Sequence, residues 1–314
     1  MVIKAEKYKT EELSKADPAS IAVISIETTI DKQKAEVIKG LLRKNSEIRI
    51  VLVIDPGVPD NQEKYSNLAI VEALGDIRHL AVLAFGSEQL LDIRLMSGVK
   101  NLVSFRLDGN YKKDMDLAPL ANATGIEELE LEFGLAGAMQ VSFVSSLSHL
   151  RHLKASVLDL QKISLHEGLE SLIITNKIKN PELLAKACPG LKKLSINKAV
   201  GVEDFGFIAP LHNLQALQIG HTNKLLSMPK LEKPLVLRSL HLVNTKQFED
   251  MESLLQFGNL EELKITEPTK MAISEFSRLK DIKSLKKVYA VFPTESEDET
   301  FGQMAAENGW QFKF

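Results

Sequence analysis

A Leu-x-x-Leu-x-Leu pattern, with Ile, Val, Phe or Ala at some positions, returns ten times along the 314-residue chain. The copies are Ile77-Leu80-Val82, Leu102-Phe105-Leu107, Ile126-Leu129-Leu131, Leu150-Leu153-Ala155, Leu169-Leu172-Ile174, Leu191-Leu194-Ile196, Leu214-Leu217-Ile219, Leu237-Leu240-Leu242, Leu260-Leu263-Ile265 and Leu285-Val288-Ala290. Their first positions step by 25, 24, 24, 19, 22, 23, 23, 23 and 25 residues. A period this narrow means one structural unit, repeated and stacked, because no single unit can hide its apolar face alone.

Each copy ends in a period-2 x-Leu-x-Leu-x pattern, which reads as a short strand with alternate residues inside. Helical spacing follows. Phe248, Met251, Leu254 and Leu255 make one stripe, and Leu183, Leu184 and Ala187 another after Asn180-Pro181. Pro181 suits a first helical turn, where a missing N–H breaks no bond. Strand, helix and strand again at about 23 residues forces parallel strands with right-handed crossovers. Strands stacked about 4.8 Å apart, backed by wider helices, bend the stack. The expected fold is therefore α/β, a right-handed solenoid or horseshoe with a parallel sheet on the concave side and helices on the convex side. The 19-residue step near Leu165–Leu169 predicts a shortened convex segment.

Composition narrows the rest. Leucine supplies 46 residues and the net charge is −3, so apolar content is too high and charge too low for a disordered chain. The same near-neutral balance speaks against a nucleic-acid or anionic-lipid binder. No run of about 18 apolar residues exists to cross a membrane. The segment Met1–Lys9 is charged and reads as no secretory signal. The lone Cys188 forms no intrachain disulfide, which points to a reducing, cytoplasmic setting. Asn122-Ala123-Thr124 fits a glycosylation acceptor but carries no meaning there.

The ten copies, and the tract Ala187-Cys188-Pro189-Gly190-Leu191-Lys192-Lys193-Leu194-Ser195-Ile196 with its Cys-Pro-x-Leu start, resemble the leucine-rich repeat family in its bacterial, cytoplasmic form, over about Ile77 to Ala290. The resemblance implies a protein-binding module. It also implies an Asn three residues past the last strand Leu, laddering hydrogen bonds between turns. Here only Asn110 matches; Thr222, Thr245, Gly134, Lys177, Ala199 and Pro268 stand at equivalent places. Thr substitutes in part and the others cannot, so an irregular curve is expected.

Both ends need covers. Residues 1–65 are expected to form an N-terminal cap, with a strand over Ile21–Ile26, a helix near Lys32–Lys44 and a second strand over Ile48–Ile54. Asp55-Pro56-Gly57 turns the chain, and Pro59–Tyr65 reads as a loop. The strand Ile21–Ile26 would be the exposed edge unless Thr10–Asp17 shields it. About ten repeats fill 66–293 of a single domain. Residues 294–314 form the C-terminal cap: a helix over Glu295–Asn308 with Ser296 as N-cap, Gly309 as its stop, and Trp310, Phe312 and Phe314 alternating in a last strand, with Trp310 over the final layer.

Catalytic motifs are absent: there is no phosphate-cradling loop, no Gly-x-Gly-x-x-Gly, no His-Glu-x-x-His and no Gly-x-Ser-x-Gly. His149 and His152 stand three apart but straddle a strand start, without further ligands in the pattern. Cys188 is the one candidate nucleophile; its place in Cys-Pro-x-Leu predicts an inward, packed thiol instead. His166, His212 and His221 fall on expected turns. The acidic run Glu295, Glu297, Asp298 and Glu299 reads as a solvated helix start. No catalytic, cofactor or metal residue is assigned.

What remains is the concave face, named by register. Its middle column is Ala81, Arg106, Glu130, Lys154, Ile173, Ser195, Gln218, His241, Lys264 and Tyr289. One flank runs His79, Ser104, Glu128, His152, Ser171, Lys193, Ala216, Ser239, Glu262 and Lys287; the other runs Leu83, Asp108, Glu132, Ser156, Thr175, Asn197, Gly220, Val243, Thr266 and Val291. An Arg106–Glu130–Lys154 charge ladder is expected, each exposed pair contributing at most about 1 kcal/mol. From Ser171 to Thr266 the face is small and polar with scattered Lys and His. The expected partner-binding residues are Arg106, Asp108, Glu128, Glu130, Glu132, His152, Lys154, Lys193, Asn197, Gln218, His241, Lys264 and Tyr289.

The sequence thus points to a non-enzymatic module that binds a protein or peptide, acting as a monomer, with inhibitor or immunity protein among its possible forms. An enzyme built on Cys188 and a self-associating structural protein are the alternatives.

Overall fold

The computed structural model describes residues 1–54, 64–65, 68–84, 91, 93–109, 115–132, 138–199, 201–233, 235–266 and 271–312. The chain divides into two compact units, Met1–Ala155 and Ser156–Phe314. The first runs through β1 (Val2–Lys4), α1 (Thr10–Ser14), β2 (Val23–Ile26), β3 (Ile30–Asp31), α2 (Lys32–Lys44), β4 (Arg49–Val53), β5 (Lys64–Tyr65), α3 (Ala69–Leu74), β6 (His79–Ala84), β7 (Ser104–Gly109), β8 (Glu128–Leu131), α4 (Ala138–Ser146) and the start of β9 (His152–Asp159). Its sheet has the order β1-β2-β4-β6-β7-β8-β9, parallel throughout.

The second unit holds β10 (Ser171–Lys179), α5 (Leu184–Ala187), β11 (Lys193–Ile196), β12 (Ala216–Gly220), β13 (Ser239–Val243), α6 (Glu252–Leu255), β14 (Glu262–Thr266), α7 (Ile273–Phe276), β15 (Lys287–Ala290) and α8 (Glu295–Glu307). β10 to β15 pair in sequence order, again all parallel. This architecture is the leucine-rich repeat fold. Every residue of the ten triplets is buried, the most open being Ala290 at 8%. Each fully buried Leu or Ile stabilises by roughly 1.5–3 kcal/mol relative to exposure, which is why the aliphatic triplets set the register.

The layer behind the strands is less helical than the spacing predicts. The Phe248–Leu255 stripe is helical only over Glu252–Leu255, and Leu255 is half-buried. The second predicted stripe is α-helical over Leu184–Ala187, and α4 spans Ala138–Ser146, but other connections are 3₁₀ turns such as Ala118–Leu120, Leu160–Lys162 and Gly206–Ile208. A 3₁₀ turn rises about 2.0 Å per residue against 1.5 Å for an α-helix, so it crosses the layer with fewer residues. Pro119 sits at the first turn of one of them, where its missing N–H costs nothing. The short step after β9 is spanned without an α-helix.

At the N-terminus α2 appears where expected. Asp31 caps it by accepting the Lys34 N–H at 2.7 Å, Ala35, Ile38, Leu41 and Leu42 face inward, and Arg43 and Lys44 suit its C-terminal dipole. The expectation that Ile21–Ile26 forms the sheet edge is overturned. β1 pairs with β2 outside it, burying Ile3 and leaving Val2 and Lys4 out. Three residues are too few to show a period. Lys64–Tyr65, expected as loop, pairs antiparallel with Ile30–Asp31. The expected turn Asp55-Pro56-Gly57, and the turn positions Asn110, Gly134 and Pro268, lie outside the described residues.

At the C-terminus Thr294, not Ser296, caps α8. Its Oγ1 accepts the Glu297 N–H at 3.3 Å while Glu297 accepts the Thr294 N–H at 3.1 Å. Gly309, at φ +71°, ends the helix. Trp310 is buried, and Phe276, Phe292 and Phe301 close the core with ring centroids 5.3–5.4 Å apart. Of the expected last strand, Gln311 bridges Lys287 in parallel, and Phe314 lies outside the described residues.

Candidate functional site

The face opposite the buried leucines carries the columns read from sequence. In the first unit Ala81, Arg106, Glu130 and Lys154 stand side by side on β6 to β9. In the second the middle column is Ile173, Ser195, Gln218, His241, Lys264 and Tyr289 on β10 to β15. The flank Ser171, Lys193, Ala216, Ser239, Glu262 and Lys287 runs beside it. Alternation across the strand forces this: once Leu194 and Ile196 are inside, Lys193, Ser195 and Asn197 are outside.

The first unit's charges largely satisfy one another. Arg106 donates from Nη2 to Asp108 Oδ2 at 3.1 Å, and its Nε lies 3.7 Å from Glu130 Oε2. Lys154 donates to Glu132 rather than to Glu130, its register partner, so the expected Arg106–Glu130–Lys154 ladder is broken at its second rung. Glu130 already faces a guanidinium, and a lysine is long enough to reach the diagonal position. Glu128 and His152 are exposed and opposite each other. Glu128 makes no ion pair among the described residues.

The second unit's face is built differently. Asn197 Oδ1 accepts from both Ser195 Oγ and Gln218 Nε2, each at 2.9 Å. His241 Nε2 lies 3.0 Å from Glu262 Oε1 and 3.3 Å from Ser239 Oγ. The Lys264 ammonium stands 5.3 Å from the centre of the Tyr289 ring. A hollow of about 240 Å³ opens over Ile173 and Ala216, walled by Ser171, Ser195 and Ser239. It is smaller than the roughly 300–1,000 Å³ of a small-molecule site, so it suits a side chain rather than a cofactor.

Cys188 is away from this face. It is 1% exposed, and burial pushes its thiol up to about 12, so it stays protonated at neutral pH. His149 is exposed on the turn before β9, and His166, expected on a turn, is buried. Among the described residues no three His, Cys, Asp or Glu side chains gather as a metal site.

One row of residues escaped the sequence reading: the position just before each strand. Glu127 pairs with Arg151 at 3.9 Å, Glu170 with Lys192 at 3.1 Å, and Glu261 with both Arg238 at 3.6 Å and Lys286 at 2.8 Å. The Lys286 hydrogen bond and charge, with Arg238 behind them, hold Glu261 below the usual carboxylate range. Alternating sign at one repeat position was the signal. Before three of the triplets, the preceding residue bonds to the neighbouring turn. Asn101 Nδ2 donates to Asp76 Oδ1 at 2.8 Å, Asn213 Nδ2 to Pro189 O at 3.0 Å and Ser284 Oγ to Gly258 O at 2.9 Å.

No protein-family model matches the chain, and no curated protein matches it either. Among solved structures it is similar to an internalin of Listeria monocytogenes, at 14% identity and a TM-score of 0.44 over 95% of this chain and 88% of that one. It is also similar to a leucine-rich repeat protein of Leptospira interrogans, at 13% identity and a TM-score of 0.38 over the whole of both chains. The leucine-rich repeat assignment itself rests on this chain's repeat length and strand register.

Proposed function

Starting from a leucine-rich repeat fold whose sheet leaves one face open, we propose that this chain is a non-enzymatic module that binds a protein or peptide partner across that face. The observation that supports this is the register itself: rows of varied polar side chains, fixed about 4.8 Å apart by parallel pairing, with their leucines committed to the core. The proposed contacts are Arg106, Asp108, Glu128, Glu130, Glu132, His152 and Lys154 in the first unit, and Lys193, Asn197, Gln218, His241, Lys264 and Tyr289 in the second. We propose 66–293 as the repeats that bear the face, with 1–65 and 294–314 as caps. Interfaces draw most of their energy from a few Trp, Tyr or Arg anchors. Arg106 and Tyr289 are the only such residues among these contacts, so a transient complex is expected.

An enzymatic reading would need Cys188, and its buried, protonated thiol argues against that. A lone cysteine fits a reducing, cytoplasmic setting. No helix among the described residues is long and apolar enough to cross a membrane. The test is capture of partners from the native host with the intact protein. Reversing Glu128, Glu130 and Glu132 to Lys, and separately Lys264 to Glu, should remove at least one partner. If every interaction survives both reversals, the open face is not the binding surface.

A further inference from the structure

Charge pairing on the open face separates engaged side chains from available ones. Glu262 is occupied by His241 at 3.0 Å, and Lys264 lies against the Tyr289 ring. Lys193 and Lys287 are exposed, and neither makes an ion pair among the described residues. On β11 the neighbours of Lys193 are Ser171 and Ala216, too short and uncharged to hold it. The hollow over Ile173 and Ala216 has Lys193 in its wall. The second unit's face therefore offers two exposed lysines outside any ion pair among the described residues and one apolar recess; its one carboxylate, Glu262, stands in register beside Lys287 and is engaged by His241.

Resting on the proposed function, we infer that the second unit's open face takes an extended acidic peptide segment, with a short aliphatic side chain in the Ile173–Ala216 hollow and carboxylates on Lys193 and Lys287. Lys193 and Lys287 share one column, four strand spacings apart, or about 19 Å at 4.8 Å each. An extended chain advances about 3.3 Å per residue, so the two carboxylates fall about six residues apart. The aliphatic residue lies next to the first. Two ammonium groups, with no arginine in the second unit's columns and a net charge of −3 over the chain, are too little for a nucleic-acid backbone, which is held by many phosphate contacts.

The test is selection of a random linear peptide display library on the intact protein, run beside the double variant Lys193→Glu/Lys287→Glu. Melting curves would check that both are folded. The inference expects selected peptides enriched in paired Asp or Glu about six positions apart with a neighbouring Val, Leu or Ile. A synthetic copy should bind at least tenfold more weakly to the double variant, and to Ala216→Gln, which fills the hollow. The double variant should itself select basic peptides. Enrichment without acidic character, acidic peptides indifferent to both variants, or no enrichment would each overturn the inference. A uridine oligonucleotide bound through the same lysines would do so too. Non-acidic peptides that bind the face and are lost on reversing Glu128, Glu130 and Glu132 would leave the proposed function standing while this inference falls.

Discussion

At the scale of single residues, burial decides what Cys188 can do and a close backbone neighbour what Gly190 can become. Burial holds the Cys188 thiol protonated up to about pH 12, whereas in the unfolded chain it ionises near 9.0. Between those values the unfolded state has lost a proton that the folded state keeps. Stability therefore falls as pH rises through that window, by up to about 1.4 kcal/mol per unit, and the penalty is absent below pH 9. Urea midpoints of the wild type and Cys188→Ala, compared from pH 7 to 10.5, should diverge only above 9; parallel curves would show that the thiol is not held from water. In the native protein at pH 7.5, Cys188 should resist thiol reagents until the chain unfolds. Gly190 is fixed by its neighbour: an added Cβ would stand 2.4 Å from the Glu167 carbonyl oxygen, which is backbone and cannot swing aside. Gly190→Ala should cost about 1–3 kcal/mol, read as a lower denaturation midpoint with unchanged slope.

At the scale of elements, the caps and turns give sharper tests than the strands. Thr294 and Glu297 exchange hydrogen bonds at the start of α8, so Thr294→Ala should cost about 0.5–2 kcal/mol while Ser296→Ala, one residue inside the helix, stays near neutral. The opposite order in thermal melts would return the cap to Ser296. Asn180 enters the turn before Pro181 at φ +52°, and its Nδ2 donates to the buried Asp159 Oδ1 at 2.8 Å. Asn180→Ala should lose both the tolerated left-handed backbone and the bond, about 2–3 kcal/mol together. Asn180→Gly should recover only the backbone share. The strands and their register were legible in the sequence because burying every second residue leaves a period-2 trace, and ten copies average out the substitutions. The connecting layer was legible only in part, at Leu184–Ala187 and Glu252–Leu255: a 3₁₀ turn has no apolar period long enough to read. β1 is three residues, and Lys154's reach to Glu132 rather than Glu130 depends on side-chain length and not on spacing. The pre-strand charge pairs Glu170–Lys192 and Glu261–Lys286 were legible in the same repeat alignment, once the column before the strand is included.

For the molecule as a whole, stacking sets how damage spreads. A repeat touches only its neighbours in sequence, so stability is carried by successive interfaces rather than by one central core. β12 shows this: its inward Leu217 and Ile219 face Leu194 and Ile196 on β11 and Leu240 and Leu242 on β13. Leu217 is 2% exposed, and Leu217→Ala should cost about 2–5 kcal/mol, including the cavity left where neighbouring strands cannot close in. Amide exchange should then rise first in β11, β12 and β13, and only later in β15, whose contacts to β14 and the Phe276, Phe292 and Phe301 cluster are untouched. The outward residues Ser195, Gln218 and His241 ride on these three strands, so the open face in this unit should loosen with them. A uniform loss of protection from β10 to β15 would instead mean that the second unit unfolds as one cooperative body, with the open face rigid until the unit is lost.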